Sequence, residues 1–246
     1  MQPVLEIFPD PTALVNYAAS LFAQMAQAAP GRFSVALSGG NTPRALYEQL
    51  SAKDMTERIP WPKTHLFWGD ERCLPPDHPE SNYGMTAAAL LSRIPLPAEN
   101  IHRIRGELPP PQAAERYEAE LRAFFGETPA FDLVFLGMGE DGHTASLFPG
   151  SPALAESVRW AVEVEHTTPP PPLVSRVTLT YGVLNAARRV VFLVSGASKA
   201  AMFARAWHGD DVPAAKIHPE NGKLLWLVDQ AAASALSSYE CPSRQR

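Results

Sequence analysis

Short apolar runs interleaved with helical periodicity constrain this chain more than any other feature. Phe33 to Leu37, His65 to Trp68, Phe131 to Leu136, Val190 to Val194 and Leu224 to Val228 read as buried strands. Val158 to Val164 and Val177 to Tyr181 are also strand-like. Between them lie helical patterns. One opens at Asp10-Pro11-Thr12, carries Leu14, Val15, Ala18, Phe22, Met25 and Ala26 on one face, and closes at Pro30-Gly31. Others begin near Pro43 and at Ser81-Asn82, and a charged one runs from Gln112 to Phe125 behind Pro109 to Pro111. Apolar strands alternating with helices predict an α/β fold whose mostly parallel sheet is covered on both faces. The 25 prolines sit at loops and helix openings, including an extended loop at Pro169 to Pro172. With no repeat and no compositional break, residues 1–246 are expected to form a single domain.

The strand ends carry the chemistry. After the run ending at Leu136 comes Gly137-Met138-Gly139-Glu140-Asp141-Gly142-His143-Thr144. Its three glycines permit positive φ and close approach of backbone to a ligand. The turn presents Asp141 and His143 where open α/β sheets hold their sites. Histidine exchanges protons near neutral pH, and an aspartate two residues away can orient it.

Ser38-Gly39-Gly40-Asn41-Thr42-Pro43-Arg44 follows the first strong strand. Thr42 fits an N-cap and Pro43 the first helical position. The amides of Gly39, Gly40 and Asn41 would then point, with the helix dipole, at an anion. Arg44 in the first turn is disfavoured by that dipole unless an anion neutralises it. The glycine spacing fits neither a P-loop nor a dinucleotide fingerprint. Ser195-Gly196-Ala197-Ser198-Lys199 repeats the design at a later strand end. Two such cations point to a shared anion. Asp70-Glu71-Arg72 ends the second strand; Arg72 is either an anion clamp or a structural partner of the two acids. Arg176 is a further cation, before Val177.

Several classes are excluded. The net charge of −5, without a basic stripe, argues against nucleic acid but leaves room for an anionic small substrate. No G-x-S-x-G elbow supports a serine triad on Ser38 or Ser146. His65, Cys73, His78 and His143 lack zinc-binding spacing, so no metal is expected. His102, His166, His208 and His218 read as ordinary surface or satisfied histidines. No apolar run approaches a membrane span, and the first residues lack the pattern of a secretory signal, so a cytoplasmic location is expected. Cys73 and Cys241 are read as reduced thiols, with a disulfide between them the alternative.

Taken together, these blocks resemble the 6-phosphogluconolactonases. The resemblance rests on Leu37 to Pro43, on Asp70-Glu71-Arg72 with Ser81-Asn82-Tyr83, and on Gly139 to Pro149. Arg176 to Thr180 and Ser195 to Lys199 extend it, in the same order. It implies a three-layer α/β/α fold with a Rossmann-like sheet and cofactor-free hydrolysis of 6-phosphoglucono-δ-lactone in the pentose phosphate pathway. In that frame His143 and Asp141 are the catalytic residues. Gly39, Gly40, Asn41, Thr42, Arg44, Asp70, Arg72, Arg176 and Lys199 are expected to bind the phosphosugar lactone. A monomer is expected, with a dimer as the alternative. The competing readings are an amino-sugar-phosphate isomerase or deaminase, in which Asp70 would move a proton between carbons, and a non-catalytic sugar-phosphate sensor.

Overall fold

The computed structural model describes residues 2–167 and 171–237. The strands are β1 (Val4–Phe8), β2 (Phe33–Leu37), β3 (Thr64–Trp68), β4 (Asp70–Arg72), β5 (Ile101–His102), β6 (Leu133–Leu136), β7 (Ala161–Val164), β8 (Arg176–Leu179), β9 (Arg189–Val194) and β10 (Lys223–Asp229). The helices are α1 (Pro11–Ala28), α2 (Asn41–Leu50), α3 (Lys53–Thr56), α4 (Asn82–Ala89), α5 (Pro110–Phe125), α6 (Tyr181–Asn185), α7 (Ala200–Trp207) and α8 (Gln230–Ala233).

Local chemistry sets the helix ends. The Asp10 carboxylate accepts the Ala13 amide at 2.8 Å, and the Ser81 hydroxyl accepts the Gly84 amide at 3.0 Å. Pro110 and Pro111 fill the first turn of α5, where a missing N–H costs nothing. At α2 the structure differs from expectation. Gly40, not Thr42, takes the cap position, with φ +106, and no side chain caps the helix. Thr42 lies inside the first turn, and its hydroxyl is 2.9 Å from that of Ser195.

The central sheet has seven strands in the order β1-β10-β9-β6-β2-β3-β5, every pairing parallel. Helices cover it, giving the three-layer α/β/α architecture. Every residue of β2 and β6 is buried, as parallel strands covered on both faces require. Phe22 of α1 meets Phe33 edge-on at 5.5 Å and lies parallel to Phe135 at 6.5 Å. Truncating a buried ring such as Phe135 to alanine costs about 3–5 kcal/mol.

From β2 the chain winds outward through β3 to β5, whereas from β6 it winds the other way through β9 to β10. The reversal between adjacent β2 and β6 opens a crevice beyond their carboxyl ends. The two glycine-rich turns read from the sequence leave from these two strands.

Asp70-Glu71-Arg72 does not extend the β3 strand but belongs to a second, antiparallel sheet, β4-β8-β7. The chain switches sheets at Gly69, whose amide donates to Leu37 O and whose carbonyl accepts the Leu179 amide, both at 2.8 Å. Among the described residues β1 is an edge strand that pairs only with β10, and its half-exposed residues carry no buried-strand pattern. Among the described residues no helix is long and apolar enough to cross a membrane. Cys241 and part of the Pro169–Pro172 run lie outside the described residues.

Candidate active site

Two buried tyrosines hold the strand ends that frame the crevice. The Tyr47 hydroxyl accepts the Ser38 amide at 2.9 Å and donates to the Ser38 carbonyl at 2.7 Å, closing the end of β2. Tyr117 of α5 does the same for Trp68 at the end of β3, at 3.0 and 2.7 Å. Burial pushes both phenols well above their usual range, so they remain neutral donors and acceptors.

Beyond β6 the turn folds onto itself. The Gly139 amide donates to His143 O at 2.9 Å, and the Thr144 hydroxyl donates to Gly137 O at 2.8 Å. Gly142 takes φ +84, and its carbonyl accepts the Ala214 amide at 2.9 Å. This geometry sets His143 Nδ1 2.5 Å from Asp141 Oδ1. Burial pushes the Asp141 carboxyl up, but the hydrogen bonds and charge of His143 outweigh it and hold the acid below its ordinary value. An ionised Asp141 only accepts, so Nδ1 carries the proton and Nε2 is the free acceptor. A side chain at Gly139 would overlap both the imidazole and the Asp141 carboxylate, so glycine is needed there for the pair to form.

Arg72 and Arg176 stand directly opposite each other on β4 and β8. Like charges so placed repel. The Arg72 guanidinium donates from Nη1 to the Glu80 carbonyl at 2.6 Å, and that of Arg176 from Nη2 to the Pro172 carbonyl at 3.0 Å. The buried Nε of each has no hydrogen-bond partner among the described residues. Burial pulls the Arg176 guanidinium below its usual value, with the neighbouring Asp70 opposing. Both arginines line a single cleft, so their facing charges make it locally cationic. Lys199 joins them from a 3₁₀ turn, Ala197–Lys199, whose preceding Gly196 amide is held by the Asp229 carboxylate at 3.0 Å.

The two acids beside Arg72 do not pair with its guanidinium. Glu71 is buried and accepts the main-chain amides of Arg72, Asn82 and Tyr83, each at 2.7 Å, and the Ser81 hydroxyl at 3.0 Å. It ties β4 to the start of α4. Burial drives its carboxyl up to about 7 even though the three amides pull it down. Asp70 Oδ2 accepts the Ser146 hydroxyl at 2.6 Å, and Asn82 Nδ2 donates to the Asp70 carbonyl at 2.9 Å.

A cleft of about 760 Å³ collects Gly39, Gly40, Asp70, Arg72, Asp141, His143, Arg176 and Lys199. Asn41 and Thr42 line an adjoining cavity of about 420 Å³ instead. Arg44 is not brought to the cleft. Its Nε lies 3.1 Å from Glu48 one turn along α2, and the side chain is 62% exposed. The anion that offsets the dipole is therefore within the helix. Sequence reasoning missed Asn82, which lines the cleft and occupies the space where a Gly39 side chain would sit. The His166 ring is buried and stacks on Phe148 at 4.1 Å, and Phe148 lies 4.5 Å from the His143 ring. Among the described residues no group of three His, Cys, Asp or Glu is placed to hold a metal ion.

Comparison with known proteins places these features in context. Residues 9–226 match the family model described as glucosamine-6-phosphate isomerases/6-phosphogluconolactonase. The chain is similar to the 6-phosphogluconolactonase of Nostoc sp., 43% identical over 96% of this chain and 100% of that protein. It is 41% identical to the 6-phosphogluconolactonase of Homo sapiens, covering 95% and 94% of the two chains. Among solved structures, the 6-phosphogluconolactonase of Thermotoga maritima superposes with TM-score 0.82 at 30% identity, over 93% of this chain and 100% of that one. A monomeric glucosamine-6-phosphate deaminase shares the fold at TM-score 0.79 and 22% identity, over 94% and 99% of the two chains.

Proposed function

This chain belongs to the glucosamine-6-phosphate isomerase/6-phosphogluconolactonase family, and we propose that it is the lactonase, hydrolysing 6-phosphoglucono-δ-lactone to 6-phosphogluconate. The observation that carries the reading is the oriented His143–Asp141 pair sharing one cleft with Arg72, Arg176 and Lys199.

The phosphate is gripped by Arg72 and Arg176, which line the cleft and whose mutual repulsion favours a dianion between them. Lys199 adds charge, and Gly39 and Gly40, just before α2, bring the positive end of its dipole to the cleft. Asp70 is left to accept sugar hydroxyls. Anchoring the remote phosphate fixes the lactone carbonyl over the imidazole, so binding contributes to rate through position.

A δ-lactone is a reactive ester, so water can attack without a covalent enzyme intermediate. His143 Nε2 takes the proton as the water oxygen bonds to the carbonyl carbon. The tetrahedral intermediate then collapses, the bond from that carbon to the ring oxygen breaks, and the imidazolium returns the proton to the leaving oxygen. Asp141 holds the tautomer and stabilises the transient cation. General-base help of this kind is worth about 10²–10⁴-fold. No cofactor enters the scheme. A monomer in a cytoplasmic setting completes the proposal, with a dimer as the alternative.

The test is continuous proton release from freshly prepared lactone. Catalysed opening supports the reading. Ammonia release from glucosamine 6-phosphate without lactone opening would assign the isomerase and deaminase chemistry instead. Tight 6-phosphogluconate binding without acceleration would leave a sensor.

A further inference from the structure

We propose that Phe148 is a positioning residue that holds the His143 imidazole and the Arg176 guanidinium in one assembly, linking proton transfer to phosphate binding. The inference rests on the lactonase reading above.

The Phe148 ring centroid lies 4.5 Å from that of His143, tilted by 43°, and 5.3 Å from the Arg176 guanidinium carbon. The His166 ring stacks on it at 4.1 Å and 18°. One aromatic ring thus touches the proposed base, one of the two facing arginines and a buried backing histidine. Asp141 fixes Nδ1, which still leaves the imidazole free to swing about that bond. The Phe148 ring blocks the swing on one side. The same ring supports a guanidinium whose one hydrogen bond among the described residues runs to the Pro172 carbonyl.

The chain takes a strained route to put the ring there. Directly after His143 and Thr144, Ala145 adopts φ +48, a left-handed conformation that is unfavourable for a non-glycine residue. The Leu147 amide then closes a turn on the Thr144 carbonyl at 2.9 Å. Ser146, at the middle of that turn, is pinned by its hydroxyl to Asp70 at 2.6 Å and by its amide to Thr178 Oγ1 at 3.2 Å. The turn doubles the chain back so that residue 148 faces residue 143. Its anchors are on β4 and β8, the strands that carry Arg72 and Arg176.

The experiment compares steady-state lactone hydrolysis by the wild type, Phe148→Leu and Phe148→Tyr, then repeats Phe148→Leu in His143→Ala and Arg176→Ala backgrounds. Phe148→Leu is expected to lower kcat by about 10–100-fold and raise KM by about threefold or more. Phe148→Tyr, which keeps the ring, is expected to recover most of both losses. In the His143→Ala background the leucine should lower kcat by less than about twofold further, and in the Arg176→Ala background it should leave KM within about twofold. A merely structural role would give losses that add in full in both backgrounds. If Phe148→Leu does not fold at the assay temperature, Phe148→Met, which leaves a smaller void, is read the same way. A folded Phe148→Leu with wild-type kcat and KM, or fully additive losses, overturns the proposal while leaving the lactonase reading intact. A wild-type protein that does not open the lactone overturns that reading itself.

Discussion

Asp141 Oδ1 accepts two hydrogen bonds from His143, one from ring Nδ1 at 2.5 Å and one from the main-chain amide at 3.1 Å. The same oxygen therefore fixes both the backbone of the turn and the tautomer of the imidazole. A neutral amide oxygen could accept both bonds, but it carries no charge to stabilise the imidazolium that forms during proton transfer and does not compel the tautomer. Asp141→Asn is expected to lower kcat by about 10²–10⁴-fold with KM within about threefold, as in other histidines robbed of their orienting acid. Steady-state kinetics on the purified variant checks this.

The same pair has a signature in stability. The folded protein holds the Asp141 carboxyl below its ordinary value of 3.8. A depressed acid contributes stability above the unfolded-state value and loses it as pH falls through the folded one. Thermal melts of the wild type and Asp141→Asn should therefore differ most at neutral pH and converge as pH drops below 3.8. A gap that stays constant down to the acid limit would show that the carboxylate is not ionised by this partnership.

At Gly139 a methyl group would occupy the space of the imidazole and of the Asp141 carboxylate. The atoms in the way are side chains, so the loop can keep its path while the catalytic pair is displaced. Gly139→Ala is expected to lose about 10²-fold or more in kcat. Its melting temperature should stay within about 3 °C of wild type, equivalent to roughly 1 kcal/mol. Activity near wild type would mean that the pair seen here is not the working arrangement.

Arg72 and Arg176 face each other across β4 and β8 and line the cleft. Inorganic phosphate should therefore stabilise the protein. At a concentration giving about 1 kcal/mol of linkage, the melting temperature is expected to rise by about 2–4 °C. In Arg72→Ala or Arg176→Ala the rise should shrink to less than half, and KM for the lactone should increase about tenfold or more. By contrast Arg44→Ala, which removes a cation paired with Glu48 on the helix surface, should leave KM within about twofold.

How far the sequence speaks depends on whether a feature is local. The His143 turn was legible because a buried strand, three glycines, an acid and a histidine fall within a dozen residues. The crevice between β2 and β6 was legible in outline, since both strands are continuous apolar runs with glycines at their ends. The second sheet was not. Asp70-Glu71-Arg72 carries no strand periodicity, and its pairing with Arg176 to Thr178 is about a hundred residues away in the chain. The function of Glu71 likewise depends on amides eleven and twelve residues further on. Thr42 looked like a helix cap on residue type alone, but its hydroxyl is spent on Ser195, which only the closed sheet brings near. Phe148 reads as one more core aromatic until the rings around it are located.

Turnover of the lactone by His143→Ala tests the central claim most directly, because that imidazole is the group that moves the proton. Continuous proton release should show kcat reduced by about 10²–10⁴-fold, while the phosphate-induced rise in melting temperature stays at its wild-type value. Turnover at the wild-type rate by a folded, phosphate-binding His143→Ala protein would contradict the account.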